Sequence, residues 1–241
     1  MSYRVTRRMI LGVLSVALSA ACSATAAPIT SVYNFTGEPG NQASTSIVAQ
    51  PTPYAVFGVF TRGSGITANA GATSINSANW TFNAALDPND YYTFTLTPTN
   101  GWVIQLSSFV FGHRRSATGP QNFELRSSLD GFGSVINSFS VGSADTSDKV
   151  QNINLTGVSA LQDIRNSVEF RIFGFTATNT GGTWRIGTTG TPTFTIQGEA
   201  VPEPSTLVVS GVVLVVALAG WRRRNRRARA GVANATALDA A

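Results

Sequence analysis

The chain holds one histidine, His113, and one cysteine, Cys22. With a single imidazole and a single thiol, no His/Cys cluster can assemble for zinc, iron or copper. A Ser-His-Asp triad would have to use His113, and no Gly-x-Ser-x-Gly elbow accompanies it. A glycosidase needs two carboxylates several ångströms apart across a cleft. Ten acids lie between Pro28 and Ala200, but most stand in turn contexts where they cap backbone N–H groups. No catalytic residue is assigned, and the chain reads as a non-enzyme. Binding chemistry is offered in two places. Gly112, His113, Arg114, Arg115 and Pro120 suggest a loop between two strands. There the guanidinium forks of Arg114 and Arg115 would meet sugar hydroxyls or an acidic polysaccharide. The alternative is a solvated loop with an arginine paired to Glu124 or Asp130. Asp87, Asn89 and Asp90 put hard oxygens in one turn, with Asp145 and Asp148 further on, and calcium is the one metal such ligands suit. The spacing is not that of an EF-hand, and the same side chains serve as turn caps. No other cofactor is expected. Trp80, Trp102 and Trp184 form a sugar-stacking platform if they face outward and core if they face inward.

The elements that would position these residues are strands. Apolar and aromatic residues recur with period two between turn clusters, as in Tyr92-Thr93-Phe94-Thr95-Leu96 and Trp102-Val103-Ile104-Gln105-Leu106. The second of these continues into Phe109-Val110-Phe111, with a bulge expected at Ser107-Ser108. Further strands are expected around Val32, Val56, Trp80 to Phe82, Phe123, Ile136, Ile153, Phe170, Trp184 and Phe194. Residues 62–79, polar and glycine-bearing, read as a mobile loop. Residues 158–166 hint at one or two helical turns, with Leu161 and Ile164 facing the core. About eleven short strands without a sustained helical period point to an all-β, two-sheet sandwich or jelly roll. No fixed repeat supports a β-helix. A domain of about 170 residues is large enough to fold without disulfides.

Both ends stand apart from this domain. Arg4, Arg7 and Arg8 precede an apolar run at 9–21, and Ala24-Thr25-Ala26 has the small-x-small cleavage form. Residues 1–26 are therefore read as a signal peptide and residues 27–200 as the extracytoplasmic domain. Thr6-Arg7-Arg8-Met9-Ile10-Leu11 also fits a loose twin-arginine signal, and Ser19-Ala20-Ala21-Cys22 an imperfect lipoprotein box. At the other end Val201-Pro202-Glu203-Pro204-Ser205 closes the domain, since proline lacks a backbone N–H and fixes φ. The sixteen uncharged residues 206–221 would make a helix of roughly 24 Å, a little short of a hydrocarbon core of ~30 Å. Trp221 suits the membrane boundary, and Arg222, Arg223, Arg224, Arg226, Arg227 and Arg229 suit the cytoplasmic side. Residues 230–241 form a short tail. Nine of the sixteen arginines belong to these two ends, so the formal charge of +5 misleads. Between Pro28 and Ala200 eight basic residues face ten acidic ones, and nucleic acid is excluded as a partner.

The order of Pro-Glu-Pro segment, short apolar span and arginine cluster resembles the PEP-CTERM sorting signal of bacterial surface proteins. The resemblance rests on residues 201–205 and on Arg222-Arg223-Arg224-Asn225-Arg226-Arg227. The tail beyond Arg229 departs from the usual pattern. The resemblance implies an exosortase-type membrane protease as partner, a cut near the Pro-Glu-Pro, and delivery to the cell surface or exterior. Within the domain, residues 109–132 and 170–186 look like stretches common in proteins with this anchor. The overall layout is similar to galactose-binding-like jelly rolls found as carbohydrate-binding modules. Together these imply an exported, non-catalytic surface or matrix protein associated with exopolysaccharide or biofilm. A secreted polysaccharide hydrolase and a homotypic adhesin are the alternatives.

Overall fold

A computed structural model describes residues 25–48, 53–203 and 221–222, and residues Ala26–Val201 form one compact unit. In chain order its strands are β1 (Ala27–Asn34), β2 (Pro39–Gly40), β3 (Ser44–Thr45), β4 (Ala55–Phe57), β5 (Phe60–Arg62), β6 (Thr67–Ala68), β7 (Ser74–Ala78), β8 (Tyr91–Pro98), β9 (Trp102–Arg115), β10 (Asn122–Ser127), β11 (Asn137–Ser140), β12 (Lys149–Asn154), β13 (Val168–Phe175), β14 (Trp184–Ile186) and β15 (Thr193–Pro202). They form the two-sheet, all-β sandwich that the alternation predicts. One sheet follows the order β1-β15-β9-β14-β7-β2, with β12 also on β9 and β6 also on β7. The other follows β11-β10-β13-β8-β5-β3, with β4 also on β8. The helical hint shrinks to a 3-10 turn, Ser159–Leu161, and Leu161 and Ile164 are buried.

Aromatic rings from both sheets meet between them. Phe94 and Phe170 stack at 5.3 Å on one sheet, and Phe111 and Phe194 at 5.0 Å on the other. Phe109 closes edge-on against Phe170 at 5.2 Å. Each such ring removes a large apolar area from water, which drives the two faces together. Trp80 and Trp184 belong to this core, with ring centroids 5.5 Å apart, and so cannot form an outer platform. Trp102 is half-buried and packs edge-on against Tyr54 at 4.4 Å.

Three expectations need correction. The mobile loop expected at 62–79 contains β6 and β7, and every residue of β7 is buried. Ser74, Asn76, Ser77 and Ala78 are small or polar, so the segment shows no apolar alternation. It is held by backbone pairing to β14, β2 and β6 instead. Residues 80–82 are not a strand: the Trp80 Nε1–H donates to the Ser77 carbonyl at 2.9 Å, and the chain turns away. Finally, β9 does not stop at Phe111 but runs on to Arg115.

The side chains that enter the core show where that extension points. Along β9 the core-cluster side chains are Ile104 and Leu106 before Ser107-Ser108 and Phe109 and Phe111 after it, with His113 and Arg115 buried beyond; Val103 and Gly112 are also buried, Gly112 beneath the 188–191 turn. The side chains of the aromatic core thus change from even to odd numbers across Ser107-Ser108, consistent with the extra residue expected there.

Candidate functional site

Residues 113–115, expected as a ligand loop, are the last three of β9 and alternate in, out, in. His113 is 2% exposed and is ringed by Phe111, Phe123, Phe139 and Trp184. Its Nδ1 accepts the Trp184 Nε1–H at 3.2 Å, so the neutral ring carries its proton on Nε2. Burial, with a smaller contribution from Lys149, pushes its pKa down to about 4. Arg115 is 1% exposed, and all five of its N–H donors are spent on backbone carbonyls. Nε donates to Pro120 at 2.8 Å. Nη1 donates to Gly142 and Ser143 at 3.0 and 2.8 Å, and Nη2 to Ala117 and Gly119 at 3.0 and 2.6 Å. This guanidinium is a clamp on two loops with no donor left for a ligand. Only Arg114 faces solvent, 3.6 Å from the Asp148 carboxylate, so the expected pairing with Glu124 or Asp130 is replaced by one with Asp148.

Asp87, Asn89 and Asp90 lie at one end of the sandwich, in the turn before β8. The Asp87 Oδ1 accepts the Asn89 N–H at 2.8 Å, and Asp90 Oδ2 accepts the Thr81 N–H at 2.6 Å. These are the bonds that hold the turn, and among the described residues no three His, Cys, Asp or Glu converge for a metal. Asp90 is 4% exposed, and its desolvation raises its pKa to about 6 against the opposing Thr81 hydrogen bond. Around this turn lies a concavity of about 350 Å³ lined by Asn79, Phe82, Asn83, Asp87 and Asp90. Phe82 is 52% exposed, an apolar ring beside amide and carboxylate groups. Sequence reasoning missed Phe82 because its neighbours Trp80 and Thr81 suggested a strand, in which alternation would pair it with the buried Trp80. A second groove of about 410 Å³ runs across β1, β15 and β9 between Thr30, Gln105, Gln197 and Glu199. It contains no aromatic ring, and Gln197 Oε1 is already taken by the Ser108 hydroxyl at 2.8 Å.

The remaining acids are largely committed. Glu124 is held by Arg126 at 2.7 Å, Glu169 by Arg171 at 2.7 Å, Asp163 by Arg165 at 2.8 Å and Asp145 by Lys149 at 2.6 Å. Asp130 accepts the Gly133 and Ser134 N–H groups, and hydrogen bonding from the Ser134 side chain first, then from these backbone groups, holds its pKa below the usual carboxylate range. Arg171 is itself sandwiched, 4.2 Å from the Tyr91 ring and 3.9 Å from the Phe132 ring.

The C-terminal element follows directly on the sheet. β1 and β15 pair from Ala27↔Ala200 to Asn34↔Thr193, and β15 extends through Val201 to Pro202, so a strand enters the first proline. Val201, Pro202 and Glu203 are partly exposed. A model of the PEP-CTERM protein-sorting motif matches residues 200–224. The chain carries a PEP-CTERM sorting signal. That signal implies export, surface association and processing by an exosortase. Of its parts, Pro204, Ser205, most of the apolar span expected at 206–221, and Arg223, Arg224, Arg226, Arg227 and Arg229 lie outside the described residues, whereas Trp221 and Arg222 lie within. Among the described residues no helix is long and apolar enough to cross a membrane. The expected signal peptide also lies outside them, up to its residue 24.

No curated protein matches the chain. Several solved structures are similar to part of the chain at low identity. A mutant of CBM29-2, a family 29 carbohydrate-binding module, is 11% identical with a TM-score of 0.35, covering 71% of this chain and 92% of its own. A cleaved adhesin domain of Lys-gingipain from Porphyromonas gingivalis w83 is 12% identical with a TM-score of 0.34, covering 72% and 99%. The glycoside hydrolase domain of Endo-D from Streptococcus pneumoniae R6 is 10% identical with a TM-score of 0.33, covering 69% and 27%. No residue role is transferred from them.

Proposed function

We propose that this is an exported, non-catalytic protein of the extracellular polysaccharide layer, held in the membrane by residues 206–221 until an exosortase cuts near the Pro-Glu-Pro. The sorting signal at 200–224 carries the first half of this reading. The second half is carried by the concavity at the turn before β8, where the exposed Phe82 ring stands beside Asn79, Asn83 and Asp87. An apolar face for sugar C–H groups beside amide and carboxylate acceptors for hydroxyls is the chemistry of saccharide contact. The non-catalytic reading is supported by the acids. Glu124, Glu169, Asp145 and Asp163 each hold a cation, and the one imidazole is buried and engaged. The deciding experiment is affinity electrophoresis of the exported protein in gels containing an uncharged glucan. Retardation without release of reducing sugar, weakened about five- to tenfold by Phe82→Ala, supports the reading. Release of reducing sugar would replace it with a hydrolase.

A further inference from the structure

The outer face of the sheet that contains β9 and β14 carries an arrangement that stability alone disfavours. Arg114 on β9 and Arg185 on β14 are directly opposite each other in register. Their neighbours Arg115, Trp184 and Ile186 point into the core, so both arginines point outward. Directly opposed side chains in a sheet have Cβ atoms about 5 Å apart, and like charges so placed repel. Arg114 has a counter-charge in Asp148. Arg185 feels the same Asp148 carboxylate only at longer range: among the described residues its guanidinium makes no hydrogen bond and no ion pair, although it is half-buried. Burial, and then the Arg114 charge, depress its pKa against the smaller opposing effects of Asp148 and Tyr92.

The surroundings do not neutralise the excess. Lys149, opposite His113 on β12, is bound to Asp145 at 2.6 Å. Asn76 stands opposite Arg185 on β7, but its Nδ2 is spent on Ala70 and Asn69, and its buried Oδ1 has no partner. One step along the face from Arg114 is Gly112, where a Cβ would lie 2.2 Å from the Thr191 carbonyl oxygen, so the turn at 188–191 walls that side. Opposite Gly112 is Val150, 62% exposed. The result is a pair of guanidiniums with one counter-charge between them, beside a wall and an exposed apolar side chain.

We infer that Arg114 and Arg185 together receive the carboxylate groups of an acidic polysaccharide, with Val150 contacting the sugar ring. This rests on the polysaccharide-layer reading and specifies its chemistry at a second surface. A guanidinium presents its N–H groups as a planar fork that matches a carboxylate, and two adjacent forks can hold one such group from both sides. Binding also supplies the negative charge that the row lacks.

The test uses the exported protein in gels containing polygalacturonate or an uncharged glucan, with inorganic phosphate as a free-anion control. Polygalacturonate should retard the protein, and raising salt from about 20 to about 200 mM should weaken that retardation several-fold. Arg114→Gln with Arg185→Gln should weaken it about tenfold or more, with Arg185→Lys in between because it keeps charge but loses the fork. Retardation by the uncharged glucan should be unchanged in all variants, and Arg185→Gln should melt no lower than the parent. The inference is overturned if polygalacturonate fails to retard the protein or retards the double variant equally. It is also overturned if phosphate binds while the polymer does not, which would mark a free-anion site. Retention of glucan binding in those cases would leave the broader reading standing, and loss of both would remove it too.

Discussion

Two buried ionisable groups should oppose each other in the acid response of the domain. The His113 pKa is depressed from 6.5 to about 4 by burial. Its contribution to stability is therefore fully present above pH 6.5 and is lost as pH falls toward 4, because the unfolded chain takes up a proton that the folded one refuses. Asp90 behaves in the opposite sense. Its pKa is raised from 3.8 to about 6, so the folded chain takes up its proton first and gains stability as pH falls through that window. At about 1.4 kcal/mol per pKa unit each full displacement amounts to ~3 kcal/mol, and between about pH 7 and pH 4.5 each contributes about 2 kcal/mol of opposite sign. The parent should thus be nearly level over that range. His113→Gln, which keeps an acceptor for the Trp184 N–H, should gain about 2 kcal/mol on acidification, and Asp90→Asn should lose about as much. Joining the two changes should restore the level profile. Urea unfolding, followed by fluorescence of the buried Trp80 and Trp184, measures all four proteins. Parallel pH profiles for the parent and the two single variants would refute the assignment of either group.

Other consequences are more local. Arg115→Met should destabilise by at least about 3 kcal/mol, since the buried carbonyls of Pro120 and Gly119 lose their donor; Arg115→Lys, with three donors in place of five, should recover only part of this in thermal melts. Gly112→Ala should cost about 1–3 kcal/mol, because its Cβ would lie 2.2 Å from the Thr191 carbonyl oxygen on a backbone that cannot swing aside. Mass spectrometry of protein from the cell exterior should find a chain running from Ala27 to near Glu203, and an intact C-terminus at Ala241 in the membrane fraction would refute processing.

How much of this could be seen in the sequence depended on what each residue's signal was made of. The paired strands β8, β10 and β13 were visible because Phe94, Phe123 and Phe170 alternate with polar residues, and β9 because Phe109 and Phe111 recur at the same period, and burying such rings dominates the energetics. β7 was not, because Ser74, Asn76, Ser77 and Ala78 are buried by backbone pairing on both sides, a condition set by strands distant in sequence. The same holds at Phe82, whose exposure depends on a turn fixed by Asp90 Oδ2 and the Thr81 N–H.

Residues 113–115 mark the boundary between the two cases. A strand with an extra residue at Ser107-Ser108 has only one consistent continuation: odd positions inward, even outward. Extending that rule four residues past Phe111 places His113 and Arg115 inside and Arg114 outside, and the glycine at 112 is no loop boundary but a close approach of the 188–191 turn. What the strand rule alone cannot supply is the neighbour. Arg185 is one residue in a three-residue strand, Trp184–Ile186, and becomes the partner of Arg114 only through the register of β14 on β9. The sorting signal needs no such register, since its three parts are contiguous and are read in linear order. The surface that would choose a ligand is assembled from strands some seventy residues apart, and for that reason its chemistry emerges only from the pairing.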